Sequence, residues 1–187
     1  LDAAAWRRAW RAAGTAVPGN DAGAGPSHEG LRRVLADHLR RSRGVAVAPD
    51  DLLVVPGVGA SLRALPVALG LVGSTVALED PGYVEAWTAF EAEGARVAAV
   101  SVDGDGLDPA HLPRSARAVY VTPSHQYPHG ARMPVTRRAL LLDWARRTDS
   151  LVLEDDYDGE FRYDVSPLPA LRSMPGAADH VVYIGTV

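Results

Sequence analysis

Acidic side chains crowd one short stretch of this chain. Glu154, Asp155, Asp156, Asp158 and Glu160 follow directly on the apolar run Leu151-Val152-Leu153. At the end of a buried strand such charges repel one another, and three outcomes compensate them: a divalent metal, a protonated ring nitrogen, or a turn left in water. A second feature is Pro56-Gly57-Val58-Gly59-Ala60-Ser61, where glycines after an apolar run let backbone N–H groups approach a phosphate at the start of a helix. The same residues also suit a tight turn without a ligand. In Glu79-Asp80-Pro81-Gly82-Tyr83 the proline stops a strand and Tyr83 opens a helix, either packed or lying flat on a planar heterocycle. Thr122-Pro-Ser-His-Gln-Tyr-Pro-His-Gly130 is a loop rich in side-chain donors; His125 and His129 lack a third ligand suitably placed for a metal.

These stretches share one position in the pattern, since each follows an apolar run. The runs are Leu52 to Val55, Thr75 to Leu78, Val97 to Val100, Ala118 to Val121, Leu151 to Leu153 and Val181 to Ile184. None alternates in and out, which predicts strands covered on both faces, with helix-length amphipathic stretches as crossovers. The expected fold is α/β, a three-layer sandwich with a mostly parallel sheet, in which ligands sit beyond the carboxyl ends of the strands. Ahead of it, Trp6, Ala9, Trp10 and Ala13 have helical spacing, and Gly14 to Ser27 reads as an irregular connection. Gly30 to Gly44 reads as a helix with Leu31, Val34, Leu35, His38 and Leu39 on its apolar face and Gly44 as its C-terminal cap. Residues 1–48 are thus expected to lead into one domain over 49–187, with no boundary after Asp50.

Composition narrows the function. The chain of 187 residues has nineteen arginines, no lysine, no cysteine and a net charge of −4. The arginines are scattered, and Arg7, Arg8 and Arg11 read as a solvated helix face, so no basic stripe points to nucleic acid. Without cysteine there is no disulfide framework, thiolate metal site or Cys nucleophile, which fits a reducing cytoplasm. No apolar run reaches the roughly 20 residues of a membrane span, and no signal peptide opens the chain. The missing initiator Met implies a fragment.

The run Glu154 to Tyr163 with Pro167-Leu-Pro-Ala-Leu171, the loop Thr122 to Gly130, and Glu79 to Tyr83 closely resemble the fold-type I aminotransferase domain of MocR/GabR-type bacterial transcription regulators. The likeness extends back through Leu31-Arg32 and Arg41-Ser-Arg-Gly-Val45 and covers nearly the whole chain. It implies pyridoxal 5'-phosphate, an electron sink whose ring nitrogen stays protonated against a carboxylate in a low-dielectric site. Asp155 is the candidate carboxylate. Tyr157 would donate to the ring's phenolic oxygen, Tyr83 would stack on the ring, and the backbone of Gly57, Val58 and Gly59 would hold the phosphate. Glu154, Asp155 and Asp156 alternate along the strand, so at most one of the three should face the ring.

Two departures bear on this resemblance. Many relatives have Asn-Pro in the polar loop, where the Asn bonds the phenolic oxygen; here Tyr127 precedes Pro128, and Gln126 or Tyr127 would substitute. In these regulators the run corresponding to Val181–Ile184 is followed by Gly-Thr-x-Ser-Lys, whose lysine anchors the cofactor as a Schiff base; this chain reaches Val187 without one. No catalytic residue is therefore assigned, and the chain by itself is expected to be inactive, binding the cofactor weakly and without a covalent bond. The resemblance further implies a parent homodimer, an amino acid or amine as effector or substrate, and DNA contact only through a winged-helix domain outside this chain. A stand-alone aminotransferase is the alternative within the family. A dinucleotide-binding unit is the remote one, since Gly57-x-Gly59 is followed by Glu79 about twenty residues on, but Leu62 stands where its third glycine belongs.

Overall fold

A computed structural model of the chain describes residues 2–15, 29–159 and 169–186. Within them lie five α-helices, α1 (Ala3–Thr15), α2 (Glu29–Arg43), α3 (Val58–Ala68), α4 (Val84–Ala92) and α5 (Val135–Thr148). Six strands accompany them: β1 (Thr75–Asp80), β2 (Arg96–Asp103), β3 (Gly106–Leu107), β4 (Ala116–Val121), β5 (Leu151–Asp156) and β6 (Val181–Gly185). The expected Gly14–Ser27 connection falls mostly outside the described residues, as do Glu160 to Tyr163, Pro167, Leu168 and Val187.

The strands form one sheet in the order β3-β2-β1-β4-β5-β6. Every neighbouring pair is parallel except β2 and the short β3, which run antiparallel. Period-two alternation sends Ala77, Val119, Val121 and Val152 to one face, where Leu141, Leu142 and Ala145 of α5 cover them. Val76, Leu78, Tyr120 and Leu153 point the other way, against Leu62 of α3 and Phe90 of α4. Burying each large apolar side chain here stabilises the fold by roughly 1.5–3 kcal/mol, so both helical layers are held by the same physics as the sheet. The continuous apolar runs of the sequence thus reflect a sheet with two covered faces.

Two local expectations are corrected. Leu52 to Val55 is not a ladder strand: Leu53 is 85% exposed, and across a cavity from this run stand Tyr183 and Gly185 of β6. Its apolar character suits a strand, but among the described residues no strand pairs with it. In α2 the buried face is turned from the one expected, with Leu31 and Val34 exposed while Arg32, Ala36 and Arg43 are buried. The two arginines enter the interior because they are partnered there. Arg32 Nη1 donates to the Pro49 carbonyl at 2.9 Å, and Arg43 meets Asp156. Gly44 follows the helix at φ 71°, the left-handed conformation a C-terminal cap requires. In α1 no residue is buried; Trp6 and Trp10 pack edge to face at 5.9 Å on its exposed side.

Candidate functional site

The carboxyl ends of β1, β4 and β5 converge on the first turn of α3. Parallel pairing fixes this: Leu78 lies beside Tyr120, and Tyr120 beside Leu153, so the residues that leave each strand emerge at one edge. Between them opens a cavity of about 200 Å³ lined by Val58, Tyr83, Thr122, Tyr127, Asp155 and Tyr157, with Thr186 closing one side.

The acidic run is resolved by alternation. Glu154 turns to the α5 face and accepts the backbone N–H groups of Leu171 at 2.7 Å and Arg172 at 2.8 Å. Asp156 meets the buried Arg43, whose Nη2 donates to Oδ1 at 2.7 Å and whose Nε lies 2.6 Å from Oδ2; Tyr183 donates to the same Oδ2 at 2.5 Å. Asp158 lies against Nδ1 of His125. Asp155 differs from all three. It is 4% exposed and lines the cavity, and its one hydrogen bond among the described residues is accepted from the Tyr120 hydroxyl. Burial, opposed by that hydrogen bond and reinforced by Asp156 and Asp158, pushes its pKa up to about 6. Protein groups therefore compensate Glu154, Asp156 and Asp158, while the second oxygen of Asp155 has no protein donor among the described residues.

Opposite Asp155, α3 starts on Gly57 at φ 141°, a conformation that a side chain would strain. No side chain caps this helix. Gly57 O accepts from Ala60 N and Ser61 N, so the N–H groups of Val58 and Gly59 have no acceptor among the described residues. Val58 itself lines the cavity, and Gly59 lies one residue further into the helix. These free donors at a helix N-terminus suit a phosphate. The dinucleotide reading needs a ladder strand ahead of the same glycines, and Leu52 to Val55 does not provide one.

Three aromatic rings build the rest of the wall. Tyr83 packs edge to face on Tyr127 at 5.8 Å, and Tyr127 on Tyr157 at 6.2 Å. Tyr83 reaches the cavity because the turn before it is tight: a Cβ on Gly82 would collide with the Glu79 carbonyl. Burial, with the charges of Asp158 and Asp155, pushes the Tyr157 phenol up to about 12, which keeps it a proton donor at neutral pH. Gln126 stands behind this wall. Its amide Nε2 donates to Pro81 O at 2.8 Å and Tyr127 O at 2.6 Å, and Oε1 accepts from His129 N at 3.2 Å, so the side chain organises the loop rather than facing the cavity. Of the residues singled out in the sequence, Val58, Tyr83, Tyr127, Asp155 and Tyr157 thus come together, while Gly57 and Gly59 flank Val58. Among the described residues no three His, Asp or Glu side chains are grouped to hold a metal ion.

Sequence reasoning did not assign Thr122, Tyr120 or Thr186 to the site, and it gave Glu79 a role only in the dinucleotide alternative. Glu79 Oε2 accepts from the Thr122 hydroxyl at 2.6 Å and from its N–H at 3.2 Å, fixing the start of the polar loop. Its other oxygen is buried without a partner among the described residues, and desolvation pushes its pKa up to about 7. The signal for Thr122 was present, since it is the first polar residue after an apolar run; Tyr120 gave none, being one more aromatic in a strand.

The family model for aminotransferase class I and II matches residues 3–185, and the chain belongs to that family. Among curated proteins it is 38% identical over 185 residues to the HTH-type pyridoxine biosynthesis transcriptional regulator PdxR of Corynebacterium glutamicum, covering 97% of this chain and 39% of that protein. It is 37% identical over 161 residues to the probable rhizopine catabolism regulatory protein MocR of Rhizobium meliloti, covering 85% of this chain and 32% of that one. The chain therefore spans about a third to two fifths of these relatives. Among solved structures, the Pyrococcus horikoshii kynurenine aminotransferase in complex with PMP aligns at a TM-score of 0.78 and 26% identity, covering 89% of this chain and 43% of that one. The doubly covered, mostly parallel sheet is the fold of these aminotransferases.

Proposed function

We propose that this chain is the cofactor-holding part of an aminotransferase-like domain, that the 187-residue chain by itself binds pyridoxal 5'-phosphate without a covalent bond, and that in its parent this domain senses an effector for a transcription regulator. The carrying observation is Asp155, a buried carboxylate with one oxygen fixed and the other without a protein donor among the described residues, facing a cavity whose far side is an uncapped helix start. When bound, the cofactor supplies an electron sink whose strength depends on a protonated ring nitrogen. The residues present fit it. Asp155 would hold the ring nitrogen, the N–H groups of Val58 and Gly59 the phosphate, Tyr83 a ring face, and Tyr157 would donate to the phenolic oxygen.

No lysine stands anywhere in the sequence, so no lysine of this chain can anchor the cofactor. The regulator reading is favoured over a stand-alone enzyme by relatives named as regulators that match up to 97% of the chain. Homodimerisation, an amino acid or amine effector, DNA contact through a separate module and a cytoplasmic location follow as parts of the same proposal. Among the described residues no helix is long and apolar enough to cross a membrane.

Equilibrium dialysis of the 187-residue chain against pyridoxal 5'-phosphate tests the cofactor reading. Saturable binding is expected, weakened at least about tenfold by Asp155→Asn, the loss of one charge-assisted hydrogen bond. Binding that is undetectable, or indifferent to that substitution, overturns it.

A further inference from the structure

We propose that Tyr120 is a positioning residue for this site: its hydroxyl, reaching from behind the cavity, fixes the orientation of the Asp155 carboxylate toward the cofactor's ring nitrogen. The inference rests on the cofactor reading above. It begins with register. Tyr120 on β4 lies beside Leu153 on β5, and the next residue of β5 on the same face is Asp155. A tyrosine is long enough to span that diagonal, which a shorter side chain would not. Its ring is 1% exposed and packs edge to face on Phe90 at a centroid distance of 6.2 Å, with Leu62, Leu78 and Leu153 in the same cluster. The hydroxyl is thereby aimed and held away from water, and Asp155 Oδ2 accepts from it.

Chemistry then selects one state of the pair. Burial, and after it the Asp155 charge, push the phenol well above its ordinary range, so Tyr120 remains a donor at any physiological pH. A donor fixed on one oxygen favours the ionised carboxylate, which leaves the second oxygen to accept from a ring N–H. Among the described residues no other group does this. The charges acting on Asp155 come from Asp156 on its own strand and Asp158 in the turn beyond, and both favour the neutral acid. Glu79 of β1 adds a further carboxyl coupled to Asp155. Tyr83 ahead of α4 and Tyr157 contribute phenols, α3 presents its uncapped start through Val58, and β6 leads to the neutral Thr186. Arg43 and His125 are engaged by Asp156 and Asp158. Tyr120 is thus the one side chain among the described residues that supports the charge of Asp155 directly.

Two measurements on the 187-residue chain test this. Carbon-detected NMR follows the titration of the Asp155 carboxyl without cofactor, and equilibrium dialysis follows pyridoxal 5'-phosphate binding against pH. Tyr120→Phe is expected to raise the Asp155 midpoint by about one unit and to weaken binding about tenfold near pH 6 to 7, with the deficit closing above about pH 8. Site-specific 3-fluorotyrosine at position 120, nearly unchanged in shape but a stronger donor, is expected to lower the midpoint, which a packing role alone would not do. An unchanged midpoint in both variants, or a loss of affinity that is the same at every pH, overturns the proposal. Failure of the unaltered chain to bind the cofactor would defeat the cofactor reading instead, and the NMR midpoints would still judge the action of Tyr120 on Asp155.

Discussion

Among the described residues, three buried carboxyls are held above their ordinary range by the same cause. Desolvation pushes Glu79 and Glu154 up to about 7 and Asp155 up to about 6. Each therefore binds its proton more tightly in the folded than in the unfolded chain. Between pH 4 and pH 7 the native state carries the extra protons, so stability is fully present at the acid end of that window and falls as pH rises through it. Thermal melting of the cofactor-free chain should accordingly decline from pH 5 toward pH 8, and Glu79→Gln should flatten the decline; a rising curve would contradict the assignment. Cofactor affinity should run the other way, since the ring nitrogen needs Asp155 ionised. A site built on a buried acid is stabilised when empty by the pH that weakens its ligand.

Helix α2 is tied to the site through a buried ion pair. Arg43 ends that helix, engages Asp156 next to the cavity residue Asp155, and donates to Ser124 Oγ in the polar loop at 2.8 Å. Breaking such a pair from one side leaves the other charge buried and typically costs about 3–5 kcal/mol. Arg43→Met should lower stability by about that amount in urea unfolding, and adding Asp156→Asn should recover at least about 1 kcal/mol of it. Strictly additive losses would show that the two side chains act separately. The helix itself was legible in the sequence, with its boundaries within a residue or two and its Gly44 cap, because those are set by local rules. Its buried face was not: hydropathy ranks Leu31 above Arg43, and only a partner 113 positions away reverses the order.

The sheet as a whole obeys its apolar pattern in five of the six runs read as strands, now β1, β2, β4, β5 and β6. Leu52 to Val55 is the exception. Position in the assembled chain decides what each apolar residue contributes, and two leucines make the contrast measurable. Leu62→Ala removes a fully buried side chain and should cost about 2–5 kcal/mol, whereas Leu53→Asn, at 85% exposure, should change the stability of the 187-residue chain by no more than about 0.5 kcal/mol. Comparable losses at both positions would mean that the 52–55 run is covered after all.

Local chemistry explains what could be read without a fold. Continuous apolar runs point to a sheet buried on two faces, Gly57-x-Gly59 ahead of a helical stretch to a helix start with free N–H groups, and an acidic run at a buried strand end to compensation from somewhere. Which acid finds which partner is decided by strand register and by contacts between distant segments. Glu154, Asp155 and Asp156 are neighbours in sequence, yet alternation and pairing send them to backbone N–H groups beyond residue 170, to Tyr120, and to Arg43. Electrostatic and hydrogen-bond energies fall off with distance in space rather than along the chain, so the choice among three adjacent carboxylates was settled only when the sheet was assembled.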